Sequence, residues 1–230
     1  MPDWIPTHHA LVSTRQSPPK QKWVDFALVN DELALLWMVN MGCVDMNTWY
    51  SRVDKPDRPD FVLFDLDPSP DAGFKETVKV ALLVRQALDA FGLVGFPKTS
   101  SAEGIHVLVP IERRYTFEDT RRFAEIVADA IASTHPGLAT TEWSKRKRRG
   151  VLIDSNQNGE GKTISSAYSV RPRPGAPVST PLRWEEVNEK LDPLAFTMDA
   201  VLARIQKHGD LFAGVLTTKQ SLRAALKALS

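Results

Sequence analysis

The stretch Phe61-Val-Leu-Phe-Asp-Leu-Asp-Pro-Ser-Pro70 decides the fold, because four apolar residues carry two carboxylates, Asp65 and Asp67, to the end of a run long enough for a buried strand. Side chains alternate across a strand, so Phe61, Leu63, Asp65 and Asp67 share one face while Val62, Phe64 and Leu66 share the other. Two acids on one face and partly out of water repel each other and raise each other's pKa unless a positive charge lies between them. A divalent cation is the simplest such charge. The same pattern also occurs as a pair of solvated turn acids ahead of a Pro-Ser-Pro loop, and the strand alone leaves both readings open.

Working outward, strand signals at Trp23–Val29 and Cys43–Trp49 flank a short apolar helix over Glu32–Met41 built on Leu33, Leu36 and Trp37. Residues 1–22, with Pro2, Pro6, Pro18 and Pro19 among Ser and Thr, read mostly as loop ending in the basic piece RQSPPKQK. After the acidic strand, Val78, Ala81, Leu82, Arg85 and Leu88 place an amphipathic helix over Phe74–Phe91, stopped by Gly92. Strands are expected at Phe96–Ser100 and Ile105–Ile111, joined by a Ser-Ser-Ala-Glu-Gly bend. Thr116 and Asp119 cap a second helix with the stripe Thr120, Ala124, Val127, Ala128 and Ile131. Val151–Ile153 repeats the first motif, an apolar strand ending in Asp154. The polar stretch 155–181 carries Lys162, Arg171 and Arg173 and reads as a functional loop. Helices are then expected on Met198, Val201, Leu202 and Ile205, ending at Gly209. A last one, behind a Thr217-to-Gln220 capping box, is expected on Leu222, Ala225, Leu226 and Leu229.

The 230 residues, 43% hydrophobic and 25% charged, suffice for one sizeable core. A net charge of +1 hides an unbroken basic run, Lys145–Arg149, which is either a solvated face or a polyanion contact. The single Cys43 excludes a disulfide framework and a cysteine metal site, and fits a reducing cytosol. No apolar run approaches membrane-spanning length.

Three acids at strand ends, Ser100 and His106 around a glycine bend, and basic residues in a polar loop point to chemistry on phosphates. Two divalent ions about 4 Å apart, held by carboxylates, can clamp the attacking and leaving oxygens of a phosphoryl transfer. The strand also looks like the opening of the haloacid-dehalogenase phosphatases, but Pro68-Ser69 stands where that family continues Gly-Thr or Gly-Val, and no later acid pair completes its site.

Taken together, LWMVNMGCVDMNTWYSR, FVLFDLDPSP, FPKTSSAEGIHVLVPI, EWSKRKRRG, LIDSNQNGEGKTISSAYSVRPRPGAPVSTPLRWEEV and GDLFAGVL resemble, in order and over nearly the whole chain, the polymerase domain of bacterial ligase D, of the archaeo-eukaryotic primase superfamily. The resemblance implies an α/β primase-polymerase fold, a mixed and largely antiparallel sheet flanked by helices. It implies one domain over 1–230, short of the family's N-terminal segment, with a helical tail over 190–230 packed on it. It implies nucleotidyl transfer, with ribonucleotides accepted, to a DNA primer during non-homologous end joining. Asp65, Asp67 and Asp154 become the catalytic metal ligands for two Mn2+ or Mg2+ ions. Asp65 and Asp67 bridge both ions, and Asp154 completes the one at the primer 3′-hydroxyl. Asn47, Ser100, His106, Gln157, Lys162 and Arg171 become nucleoside-triphosphate contacts.

Lys145, Arg146, Lys147 and Arg148 are expected to meet DNA. The implied partners are double-stranded DNA ends or a gapped primer-template, a DNA ligase domain and a Ku-type end-binding protein; no membrane is involved, and the place is the cytoplasm at the bacterial nucleoid. One departure stands out. The family's second motif often reads TSGxKGxH, and here Glu103 replaces the basic phosphate contact, which weakens triphosphate binding unless Lys98, Lys162 or Arg171 compensates. The alternative is a catalytically weak DNA-end-binding module of the same fold.

Overall fold

The structure is a computed structural model that describes residues 1–13, 18, 20–100 and 103–228. Expectations placed on Thr14, Arg15, Gln16, Ser17, Pro19, Ser101, Ala102 and Leu229 lie outside the described residues. The chain divides into two compact units, Met1–Val44 and Asp45–Ser230.

In the first unit, β1 (Thr7–Ser13) pairs antiparallel with β2 (Gln21–Ala27), from Thr7 opposite Ala27 to Ser13 opposite Gln21. The expectation of a mainly irregular N-terminus is corrected here. Seven residues of it form a strand, because the partner that satisfies their backbone lies fourteen or more positions further along for most of the ladder. The His9 and Trp23 rings stack across the pair at 4.6 Å. Helix α1 (Glu32–Asn40) starts at Asp31, whose carboxylate accepts the Ala34 N–H at 2.8 Å. Its Leu33 and Leu36 are exposed and Ala34 is buried.

The second unit opens with β3 (Asn47–Trp49), β4 (Ser51–Arg52), β5 (Lys55–Pro59) and β6 (Phe61–Pro68). There follow α2 (Phe74–Ala90), β7 (Phe96–Thr99), β8 (Ile105–Pro110), α3 (Phe117–Thr134), β9 (Ala139–Thr140), β10 (Val151–Asp154) and β11 (Thr163–Ser165). Helices α4 (Met198–His208), α5 (Ala213–Thr217) and α6 (Arg223–Ala228) complete it. The strand expected over Cys43–Trp49 is confined to its last three residues, which pair with β11.

The main sheet has five strands in the order β7-β8-β6-β10-β9, antiparallel throughout except for β10 with β9. The acidic strand sits at its centre and is two-faced as its alternation predicts. Val62, Phe64 and Leu66 join the core cluster with Val78, Ala81, Val84 and Leu88 of α2 and Phe123, Ala124, Val127 and Ile131 of α3. Phe61 and Leu63 enter a smaller cluster on the opposite face with Tyr50, Leu108, Ile164 and Val215. Each such fully buried aliphatic or aromatic side chain contributes about 1.5–3 kcal/mol.

The buried stripe of α2 runs through Val84 rather than Leu82, which is exposed, while Arg85 lies over the Trp184 ring at 5.2 Å. The capping box of α3 forms as expected, with Asp119 N–H donating to Thr116 Oγ1 at 3.1 Å and Thr116 N–H to Asp119 Oδ2 at 2.8 Å. On α4, only Val201 is buried, so Met198 and Leu202 do not make a core face. The Thr217-to-Gln220 box does not cap the last helix. Thr217 ends α5, and the Gln220 amide instead holds the backbones of Val94 and Pro110. Leu222 and Ala225 join the main core. No described helix is long and apolar enough to cross a membrane.

Candidate active site

The sheet face turned away from α2 and α3 carries the chemistry. Strand register places Lys98 opposite His106, His106 opposite Asp65, and Asp65 opposite Asp154, so four ionisable residues form one row across β7, β8, β6 and β10. Asp67 follows two positions along β6, on the same face, opposite Leu152. The three acids proposed from the sequence, two of them adjacent in the row, are therefore brought together by backbone pairing.

Their charges are felt mutually. Burial, with Asp65 and then Asp67 adding to it, pushes the Asp154 carboxyl up to about 6, against a pull from the Asn156 N–H and from Lys162. Burial and Asp65 also raise Asp67, with Glu103 adding to the rise, while Arg148 and Lys145 oppose it. Asp154 Oδ1 accepts the Asn156 N–H at 3.0 Å and so begins the 3-10 turn Ser155–Gln157, which carries the partly buried Gln157.

His106 Nε2 lies 3.3 Å from Asp65 Oδ1. Burial and the neighbouring Lys98 push His106 down to about 4, so the ring is neutral at pH 7 and this contact is not an ion pair. Behind it, Lys98 is fully buried, its Nζ 2.9 Å from His106 Nδ1, 2.6 Å from Ser179 Oγ and 3.3 Å from Ser165 Oγ. Burial lowers this lysine to about 7. Its side chain is committed behind His106, so of the three residues that could offset Glu103, Lys98 is not free to do so.

Ser100 sits at the start of the bend, its N–H donating to Gly104 O at 3.0 Å. Gly104 is required there by packing: a Cβ would lie 2.5 Å from Ser100 Oγ and 2.9 Å from Leu66 O. Thr77 Oγ1 of α2 holds the Glu103 carbonyl at 3.3 Å. Asn47 and Arg171, far apart in sequence, meet at Asp45, which accepts from Asn47 Nδ2 at 3.3 Å and forms a close ion pair with Arg171 Nη1. Lys162 is exposed and acts electrostatically on Asp154.

In the basic run, Lys145, Arg146, Lys147 and Arg149 are exposed. Arg148 turns inward instead, 6% exposed, with Nη1 3.5 Å from Asp67 Oδ2. It stands with the acids, apart from its exposed neighbours.

Three participants escaped the sequence reading. Asn158, buried, hydrogen-bonds the backbone of Leu63. Asp45 orients two proposed nucleotide contacts. Tyr50 is buried with a hydroxyl that has no partner among the described residues, and burial, Asp65 and Asp154 all raise its pKa. A polar residue inside a Gly- and Asn-rich loop carries no sequence signal for burial, which explains the first.

Among the described residues, no three His, Cys, Asp or Glu side chains close into a ready-made metal cage. The donor chemistry fits a hard divalent cation even so: carboxylate oxygens share one face, and burial first, then the charge of Asp65, raises Asp67 and Asp154 there.

A family profile described as "LigD, primase-polymerase domain" matches residues 1–212. The chain belongs to the LigD primase-polymerase domain family. It is 35% identical over 181 residues to the bifunctional non-homologous end joining protein LigD of Bacillus subtilis, covering 78% of this chain and 30% of that protein. It is 32% identical over 197 residues to the multifunctional non-homologous end joining protein LigD of Pseudomonas aeruginosa, covering 84% of this chain and 24% of that one. The chain thus spans less than a third of the length of these LigD relatives. Its fold matches the polymerase domain of Mycobacterium tuberculosis ligase D, solved in complex with DNA, with a TM-score of 0.82 and 27% identity over 95% of this chain and 77% of that one. The primase-polymerase fold and the family expected from the sequence are both borne out.

Proposed function

We propose that this LigD-type domain catalyses template-directed nucleotidyl transfer, adding nucleotides, ribonucleotides among them, to a DNA primer at breaks rejoined by non-homologous end joining. The observation that carries this reading is the row in which His106, Asp65 and Asp154 lie side by side, with Asp67 on the same face. Asp65, Asp67 and Asp154 would hold Mn2+ or Mg2+. Two such ions, when bound, neutralise the triphosphate and the developing charge on the attacking and leaving oxygens. Little acid-base chemistry is then left for the protein, whose part is positioning. Ser100 and His106 would hold the triphosphate from one side of the acids. Asn47 and Arg171, oriented by Asp45, would contact the nucleotide from the Lys98–His106 side, and Gln157 and Lys162 from the side of Asp154.

Lys145, Arg146 and Lys147 would take the DNA backbone of an end or a gapped primer-template. A DNA ligase domain and a Ku-type end-binding protein are the partners this activity calls for, at the bacterial nucleoid. Binding of a nucleoside triphosphate, titrated calorimetrically with and without Mn2+, tests the reading. Metal-dependent binding that is lost in Asp67→Asn supports it, and no binding in either condition contradicts it. A second reading, a DNA-end-binding module with weak catalysis, is favoured by Glu103, which places a further negative charge near Asp67 where a triphosphate would lie. That module would bind DNA with no metal-dependent triphosphate affinity.

A further inference from the structure

We propose that Lys98 is a positioning residue that fixes His106 as its Nε2–H tautomer, so that the ring presents a hydrogen-bond donor to oxygen anions on the acidic face. The inference deepens the nucleotidyl-transfer reading and rests on it for the identity of the anion.

The argument is an inventory of hydrogens. Ser179 has one hydroxyl proton, and its Oγ lies 2.8 Å from the Thr99 carbonyl, which can only accept. The 2.6 Å contact between Ser179 Oγ and Lys98 Nζ must therefore be donated by the lysine. Ser165 Oγ at 3.3 Å and His106 Nδ1 at 2.9 Å are the other two neighbours of the same nitrogen. Below its lowered pKa of about 7 the Lys98 nitrogen is an ammonium, with three hydrogens and no lone pair, and three acceptors surround it. A proton on His106 Nδ1 would oppose two donors at 2.9 Å in a fully buried pocket, which a low-dielectric interior penalises heavily. Nδ1 is thus bare. Nε2 faces Asp65 Oδ1 at 3.3 Å, a carboxylate oxygen that can only accept, so the ring's proton sits on Nε2.

This arrangement has a chemical consequence. A neutral imidazole with Nδ1 protonated would offer a lone pair at Nε2, suited to a metal ion and repelled by phosphate. The Nε2–H form does the reverse: it donates to a carboxylate oxygen, or to a phosphate oxygen of a bound triphosphate, without adding a formal charge. Lys98, Ser165 and Ser179 come from three separate segments, so the lock is built by the tertiary fold.

The test uses the full chain labelled with 15N-histidine, whose ring nitrogens are read by long-range proton–nitrogen correlation. The His106 signals, among those of five histidines, are assigned by their loss in His106→Gln. The expected wild-type spectrum at about pH 6, below the lowered Lys98 pKa of about 7, shows Nε2 protonated and Nδ1 bare. In Lys98→Met the Nδ1 signal is expected to shift toward the protonated form, and the Kd of a nucleoside triphosphate with Mn2+ to rise about tenfold. A wild-type ring protonated at Nδ1 overturns the proposal, and so does an unchanged His106 spectrum in folded Lys98→Met. The wild-type spectrum alone decides if that variant does not fold. A locked Nε2–H ring in a protein that binds no triphosphate upholds the lock and overturns the nucleotide reading.

Discussion

The side chain of Asn158 pairs with the backbone of Leu63 as a neighbouring strand would: Oδ1 accepts the Leu63 N–H at 2.8 Å and Nδ2 donates to the Leu63 carbonyl at 2.8 Å. Strand β10 pairs with β6 only from Asp65 onward, so the preceding residues on that edge lack a strand partner. Asn158 supplies one, and Nδ2 also lies 3.2 Å from Ser155 O, which ties the turn after Asp154 to β6. Asn158→Ala removes both partners of buried backbone groups and is expected to lower unfolding stability by about 1–3 kcal/mol. A urea melt beside the wild type measures it, and an unchanged midpoint would mean that water replaces the amide.

Close packing at the second-motif bend gives another outcome. The Cβ of Gly104→Ala would press on Ser100 Oγ and on the Leu66 carbonyl, a backbone atom of the central strand that cannot rotate away. A loss of about 1–3 kcal/mol is expected, together with weaker triphosphate binding, since Ser100 must move. Wild-type affinity in this variant would remove Ser100 from the nucleotide site.

The basic run divides by direction. Lys145 and Arg146 are exposed, and changing both to Ala is expected to weaken DNA binding and to reduce the slope of log K against log salt by roughly two, one per lost phosphate contact. Affinity and slope both unchanged would make the run a solvated face.

Acid stability has an identifiable contributor. Burial by itself would raise Glu186, but Arg204, 2.6 and 2.5 Å from its two oxygens, and the Arg183 N–H at 2.8 Å hold it below its ordinary value of 4.5. A carboxyl lowered on folding adds stability above its unfolded pKa and loses it as pH falls through the folded one. Glu186→Gln is expected to cost about 1 kcal/mol at neutral pH, with the difference from wild type vanishing below the pKa of the folded carboxyl. A difference that persists unchanged into acid would assign the effect to packing.

The sequence made the central strand, the capped helix α3 and the face shared by Asp65 and Asp67 legible, because each rests on local periodicity or on a cap three residues away. The opposing Asp154 could be read as a second acid at a strand end, but its register against Asp65 is a matter of pairing between strands more than eighty residues apart. What stayed hidden depends on such distant partners. A strand at Thr7–Ser13 lies behind proline and serine signals until β2 pairs with it. Lys98 reads as surface by residue type, and is buried only because Ser165 and Ser179 arrive to accept its hydrogens. Arg148 belongs by sequence to a solvated run, and by position to Asp67.

Primer extension on a templated, 5′-phosphorylated gap, with Mn2+ or Mg2+ and with ribo- or deoxynucleotides, tests the central claim most directly when run beside Asp65→Asn. The account predicts templated addition by the wild type and none by the variant, with the variant's melting curve and DNA affinity retained. Extension that survives in Asp65→Asn, or a wild type that binds the gap and metal-bound nucleotide yet adds nothing, would contradict it.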